Sequence, residues 1–184
     1  MNGEFMDQKK IEEGVRLMLE GIGEDLNREG IKETPSRVAR MYLEIFEGML
    51  DQPDLKAGFT EEISNDNYIL IKDIPFYSFC EHHLLPFFGK VKILYIPKNN
   101  RVAGFSDLVK VVDLLSRRLQ IQERLTNQIA DELMKKLEPA GLRIVIEATQ
   151  LCVTMRGRRS HGTQTITQAV RGDLPTENIP EEFL

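Results

Sequence analysis

Hydrophobic residues along this chain recur first at helical and then at alternating spacing. Ile11, Val15, Met18, Ile22 and Leu26 lie three and four apart, which predicts a first helix ended by Gly30. Thr34 followed by Pro35 is a start signal, an N-cap ahead of a residue whose fixed φ suits the first helical position. A second helix then follows, with Val38, Met41, Tyr42, Ile45 and Phe46 on its buried side. After a loop rich in Pro, Gly, Asp and Asn (about 51–66), Tyr68–Lys72 and Lys90–Ile96 read as strands, the latter closed by Pro97. Ser106 is placed to cap a helix through Leu108, Val111, Val112 and Leu115. Ile121, Leu125, Ile129, Leu133 and Leu137 recur every four residues in another helix, stopped by Pro139-Ala140-Gly141. Strands from about Leu142 to Met155 and from about Gln164 to Val170 complete the pattern.

The expected order is two helices and then β-β-α-α-β-β. Strands adjacent in sequence pair antiparallel by preference. One sheet covered by helices on one face is an α+β arrangement. Its other face and its edges still need cover, which argues for assembly with further copies. Residues 1–5 read as a start unrelated to the fold, 6–60 as an N-terminal helical region, and 61–184 as the main domain.

Composition narrows the class without deciding function. Of 184 residues, 41% are apolar and 29% charged, as in a soluble globular protein. A net charge of −5 gives no support to nucleic-acid or acidic-membrane binding. No apolar run approaches the ~20 residues of a membrane span, and the polar start MNGEFMDQKK is not a secretory signal. The expected location is the cytoplasm.

The most informative stretch is Cys80-Glu81-His82-His83. The chain has two cysteines, Cys80 and Cys152, and three histidines, two of them in this tetrapeptide. Cys80, His83 and Cys152 would make a three-ligand zinc site whose fourth position stays open for water, the pattern of catalytic zinc. Beside it, His82 would be free to move protons. Two other readings stand against this one. The cysteines could form a disulfide, although nothing points to an oxidising compartment. They could also be buried thiols, with the histidines as surface residues.

Four segments then carry a resemblance: ETPSRVARMY (33–42), CEHHLLPFFGKVKILYIP (80–97), SRRLQIQERLTNQIA (116–130) and CVTMRG (152–157). Together they resemble the GTP cyclohydrolase I family, from about Ile11 to the C-terminus. The resemblance implies the tunnelling fold, in which ββααββ subunits join their sheets into a barrel, usually as a homodecamer of two pentamers with sites at subunit interfaces. It implies zinc on Cys80, His83 and Cys152, and GTP or a related purine nucleotide as substrate. The implied reaction is hydrolytic opening of the guanine ring at C8, release of formate and closure to 7,8-dihydroneopterin triphosphate. His82 would be the general acid/base. Glu123, with Gln122 beside it, would bind guanine, although QERLT alone favours a solvated helix face. Arg37 and Arg40, spaced i, i+3, would meet the triphosphate, as would Ser106, Lys110 and Arg156. On a strand reaching Met155, Gln150, Cys152, Thr154 and Arg156 would point to one side.

The chain also departs from that family. Gln150 stands where a second catalytic histidine is usual, and an amide does not exchange a proton near pH 7. Asp107 replaces a usual lysine, and Lys110 an arginine, which keeps charge but loses the bidentate fork. Arg158 adds a charge that could compensate, and His161 lies elsewhere in sequence. Three readings follow: a working GTP cyclohydrolase I, a divergent relative that stops at the ring-opened nucleotide or takes another purine nucleotide, and a zinc and nucleotide binder without turnover. The nitrile reductase of the same fold is a weaker alternative, because it needs a free active-site cysteine.

Overall fold

A computed structural model describes residues 6–51, 59–61, 68–157 and 159–174. The chain divides into two compact units, 1–51 and 52–184.

The first unit holds α1 (Gln8–Gly21) and α2 (Thr34–Ile45). Asp7 caps α1 by accepting from the Lys10 N–H at 3.1 Å. The helix ends well before the expected Gly30, because Gly23 takes φ +83°, a left-handed value that suits glycine. Leu26 therefore lies outside it. In α2 the cap is Glu33, and Thr34 is the first helical residue, with Pro35 inside the first turn. Val15, Leu19, Pro35 and Ala39 are the buried positions of the two helices, whereas Met41 is exposed.

The second unit is built on a five-stranded sheet. Its strands are β2 (Ile69–Cys80), β3 (Pro86–Ile96), β5 (Leu119–Gln120), β6 (Gly141–Gln150) and β7 (Thr165–Gly172), in the order β5-β2-β3-β6-β7. Two short strands, β1 (Phe59–Thr60) and β4 (Arg101–Val102), pair separately. Helices α3 (Phe105–Ser116) and α4 (Gln122–Leu137) supply Leu108, Val111, Val112, Leu115, Leu125, Ile129 and Leu133 to one core. The sheet contributes alternate residues to that core: Ile74 and Phe76, Phe87, Val91 and Ile93, Leu142, Ile144 and Ile146. Each buried side chain of this size stabilises by roughly 1.5–3 kcal/mol. On the opposite face Tyr77, Phe88, Ile166 and Val170 are exposed. The expected ββααββ order and one-sided helical cover are present. No described helix is long and apolar enough to cross a membrane.

Three boundaries differ from expectation, and each difference shapes the site. β2 runs past Lys72 to Cys80 by way of an irregularity between Ile71 and Ile74, where Asp73 takes φ +61°. Pro75 is tolerated because β5 pairs with β2 only at Phe79 and Cys80, so no ladder partner needs the missing N–H on that side. β6 ends at Gln150 rather than Met155. Its neighbour β3 pairs with it only as far as Phe87↔Gln150, and β7 only as far as Ala148↔Thr165. Past that point the backbone turns into α5 (Leu151–Thr154), with the Met155 N–H donating to the Leu151 carbonyl at 3.0 Å. Cys152 therefore lies on a helical turn, and the expected alternation of Gln150, Cys152, Thr154 and Arg156 along one strand does not hold. Finally, Gly104 caps α3, and Ser106 is an exposed residue of its first turn.

Candidate active site

Strand β2 delivers Cys80 to its last position, and a tight turn follows. The Cys80 N–H donates to the Leu85 carbonyl at 2.9 Å, and the Leu84 N–H donates back to the Cys80 carbonyl at 2.9 Å. Leu84 takes φ +52° to close the turn. This geometry brings His83 back over Cys80, with Nδ1 3.9 Å from Sγ. Cys152 arrives from α5. The ligand atoms of Cys80, His83 and Cys152 all lie within 4.8 Å of one another. Both cysteines are free, so the disulfide reading falls away. Two sulfurs and one imidazole suit a borderline-soft ion such as zinc and not magnesium or manganese. The set therefore fits a metal ion with an open fourth position.

Burial pushes the Cys152 thiol above its ordinary pKa, and the neighbouring Cys80 adds to this. Arg156, exposed in the turn after α5, pulls the other way. A cation held by the three donors would relieve the crowding of two sulfurs, since a coordinating thiol is deprotonated outright.

His82 is exposed beside this group. Its Nδ1 lies 3.7 Å from Cys80 Sγ, and its Nε2 lies 3.9 Å from Glu81 Oε1. Glu81 is fixed in turn by both arms of the Arg124 guanidinium, at 2.5 and 3.0 Å. That clamp holds the Glu81 carboxyl below its usual range and raises the Arg124 pKa, the two partners agreeing in direction. The Glu81 N–H also donates to the Gln120 carbonyl at 3.0 Å. The loop between Cys80 and His83 is thus tied to β5 and to α4. Sequence reasoning missed Arg124 and Glu81 as a pair. Glu81 was visible inside the CEHH run, but its partner lies 43 residues away.

The other candidates separate into groups. Glu123 is exposed in the first turn of α4, and its carboxylate makes no hydrogen bond or ion pair among the described residues. Gln122, one residue earlier, is buried and hydrogen-bonded to the sheet and to Gln150. Ser106 and Lys110 share an exposed face of α3, and the Lys110 ammonium lies 3.5 Å from Asp107. His161 is exposed in a turn and stands outside the Cys80–His83–Cys152 group. Arg158 falls outside the described residues. In the first unit, Arg37 pairs with Glu33 at 2.7 Å, and Arg40 donates to Ser36 Oγ at 2.9 Å.

Comparison with known proteins shows what the chain is similar to. A curated "GTP cyclohydrolase 1" from Carboxydothermus hydrogenoformans is 54% identical over 174 residues, covering 94% of this chain and 90% of that protein. Another from Clostridioides difficile is 52% identical over 169 residues, covering 91% of this chain and 88% of that protein. Among solved structures, an archaeosine synthase QueF-like protein in the apo form shares the fold. Its TM-score is 0.50 at 17% identity, and the match covers 62% of this chain and 100% of that one. Residues 11–184 match the family profile described as GTP cyclohydrolase I, and the chain belongs to that family.

Proposed function

We propose that this chain is a zinc-dependent GTP cyclohydrolase I that hydrolyses the guanine ring of GTP at C8, releases formate and yields 7,8-dihydroneopterin triphosphate. The observation that carries the reading is the convergence of Cys80, His83 and Cys152 in a chain of this family. These three residues would hold the ion. When bound, it would supply a Lewis acid that lowers the pKa of water toward neutrality.

The chain's own residues do the rest. His82 stands exposed next to the ligand set, and it moves protons to and from the opening ring. Glu123 presents from the first turn of α4 a carboxylate without a partner among the described residues. It accepts from the guanine N1–H and amino group together, a pair that adenine does not offer. Arg156 and Lys110 supply positive charge for phosphates, with the Ser106 hydroxyl as a donor, and Arg37 and Arg40 are proposed phosphate contacts of the helical unit. Asp107 offsets part of the Lys110 charge. The proposed setting is the reducing cytoplasm, which suits two free cysteines that ligate rather than pair. The proposed assembly is a homo-oligomer, a decamer by family resemblance. The exposed Tyr77, Phe88, Ile166 and Val170 on the helix-free face of the sheet support burial against further copies.

One observation favours a second reading. The Gln150 amide is held by Gln122 and has no titratable proton. On that reading the enzyme opens the ring and releases formate slowly or not at all.

The test is turnover of GTP by zinc-loaded protein, with products resolved by mass and formate assayed separately. Dihydroneopterin triphosphate with equal formate is the expected result. A product of GTP plus one water, without formate, establishes the second reading. Recovery of unchanged GTP overturns the substrate assignment.

A further inference from the structure

The side-chain amide of Gln122 can be oriented in only one way. Gln122 is the first residue of α4 and is 3% exposed. Its Nε2 lies 3.0 Å from the Ile146 carbonyl, 2.9 Å from the Thr165 carbonyl and 3.1 Å from Thr167 Oγ1. Carbonyl oxygens only accept, so the nitrogen must face them and Oε1 must face away. The neighbouring hydroxyls agree. Thr126 Oγ1 donates its one proton to the Gln122 main-chain carbonyl at 2.7 Å. Thr167 Oγ1, 2.7 Å from Thr126 Oγ1, must then be the donor of that pair, which leaves its lone pairs for the Gln122 amide.

The consequence falls on Gln150. Gln122 Oε1 accepts from Gln150 Nε2 at 2.7 Å. Gln150 is half-buried at the end of β6, two residues before Cys152. With its nitrogen committed to Gln122, its amide is oriented as well. What it has left to offer is the oxygen Oε1 and one N–H. We infer that Gln122 is a positioning residue for the hydrolytic reaction, acting through Gln150, whose amide it holds with the nitrogen turned inward and the oxygen free as an acceptor. This rests on the reaction proposed above. Both N–H protons of Gln122 are engaged by its three acceptors, so any contact it makes with substrate falls to the remaining lone pair of Oε1.

Three variants test this: Gln122→Met, Gln150→Met and the double substitution. The measurements are kcat, KM for GTP, bound zinc, and the ratio of ring-opened product to formate. Each single change is expected to lower kcat on the order of tenfold and leave KM within about twofold. The double variant should fall no lower than the weaker single one, because both remove the same interaction. Multiplying effects, or a Gln122→Met variant with raised KM and unchanged kcat, overturn the inference.

Gln122→Met removes the donor to two carbonyls and so threatens folding. Gln150→Asn keeps Gln122 intact and withdraws the amide from it; full kcat in that variant also overturns the inference. A crystal structure of metal-free Gln122→Met gives a readout independent of activity. Gln150 is expected to leave its orientation, and an unchanged Gln150 refutes the idea. Wild-type protein that leaves GTP unchanged defeats the proposed reaction, while that crystal structure still judges whether Gln122 orients Gln150.

Discussion

At one end of the five-stranded sheet, where Ile96 faces Gly141 and Gly141 faces Gly172, backbone lies directly against backbone. The Ala140 N–H donates to the Ile96 carbonyl at 2.9 Å, and the Asp173 N–H donates to the Ala140 carbonyl at 2.8 Å. A Cβ on Gly141 would stand 2.1 Å from the Asp173 carbonyl oxygen, and one on Gly172, at φ +66°, 2.4 Å from that of Ala140. At the other end, side chains hold the elements together. Arg124 clamps Glu81, and Gln122 joins α4 to β6, β7 and Gln150. An end closed by backbone tolerates only glycine and offers nothing to chemistry. An end closed by side chains is adjustable, and the same residues that hold it can orient a reacting group.

The largest effect should come from removing a ligand at the adjustable end. Cys152→Ala is expected to abolish stoichiometric metal binding and lower kcat by about 10³-fold or more. Metal analysis together with GTP turnover checks this, and retention of bound zinc at wild-type affinity would place the centre elsewhere. The backbone-closed end should fail differently. Gly172→Val puts a branched side chain at a left-handed φ and against a carbonyl, at a cost of roughly 2–4 kcal/mol. Denaturant unfolding should show that loss, while metal per folded chain stays unchanged.

A smaller effect sharpens the contrast. Arg124→Ala frees the loop between Cys80 and His83 and should weaken zinc binding on the order of tenfold. Stability should change by less than about 1 kcal/mol, because the pair is largely solvent-screened. Competition with a chromophoric chelator measures the affinity, and exchanging the charges (Glu81→Arg with Arg124→Glu) should recover part of it. Equal affinity in Arg124→Ala would mean that the turn's own hydrogen bonds suffice.

The smallest effect lies between the two ends, at the irregular stretch of β2. Lys90 pairs with Asp73 at 2.9 Å. It holds the Asp73 carboxyl below its ordinary pKa, chiefly by hydrogen bonding, and Asp73 raises that of Lys90 by the same bond. For Asp73 the stabilisation is present above the unfolded carboxylate pKa and is lost as pH falls through the lowered folded value. For Lys90 it is full below the unfolded amine pKa and is lost as pH rises through the raised one. The pair therefore contributes across neutral pH and fades at both extremes. Asp73→Asn should flatten that small dependence in unfolding measured against pH, and an unaltered profile would assign it to other groups.

Much of this was legible along the chain. The change from helical to alternating spacing after residue 66 marks the ββααββ order, because periodicity depends only on which face of an element is buried. Cys80 and His83 were legible because a three-residue offset on one turn already brings them together. The reach of Arg124 and the burial of Gln122, itself a candidate from the sequence, were not. Both sit in a QERLT run that, taken locally, describes a solvated helix face, yet Gln122 is buried and Arg124 reaches back to Glu81. The strand through Cys152 was overextended because Val153 and Met155 continue an apolar pattern, while the end of pairing at Gln150 depends on where β3 and β7 stop.

By itself, then, the sequence determined the elements, their order, the candidate metal-ligand types and the family. These follow from local patterns and from short offsets within single turns. Tertiary structure decided the rest: that Cys152 is offered from a helical turn, that Arg124 tethers the loop between Cys80 and His83, and that the Gln122 amide orients Gln150. The physical reason is that each of these depends on unsatisfied backbone or side-chain groups finding partners on other elements. Such partners are set by where strands end and which faces meet, and no local spacing records that.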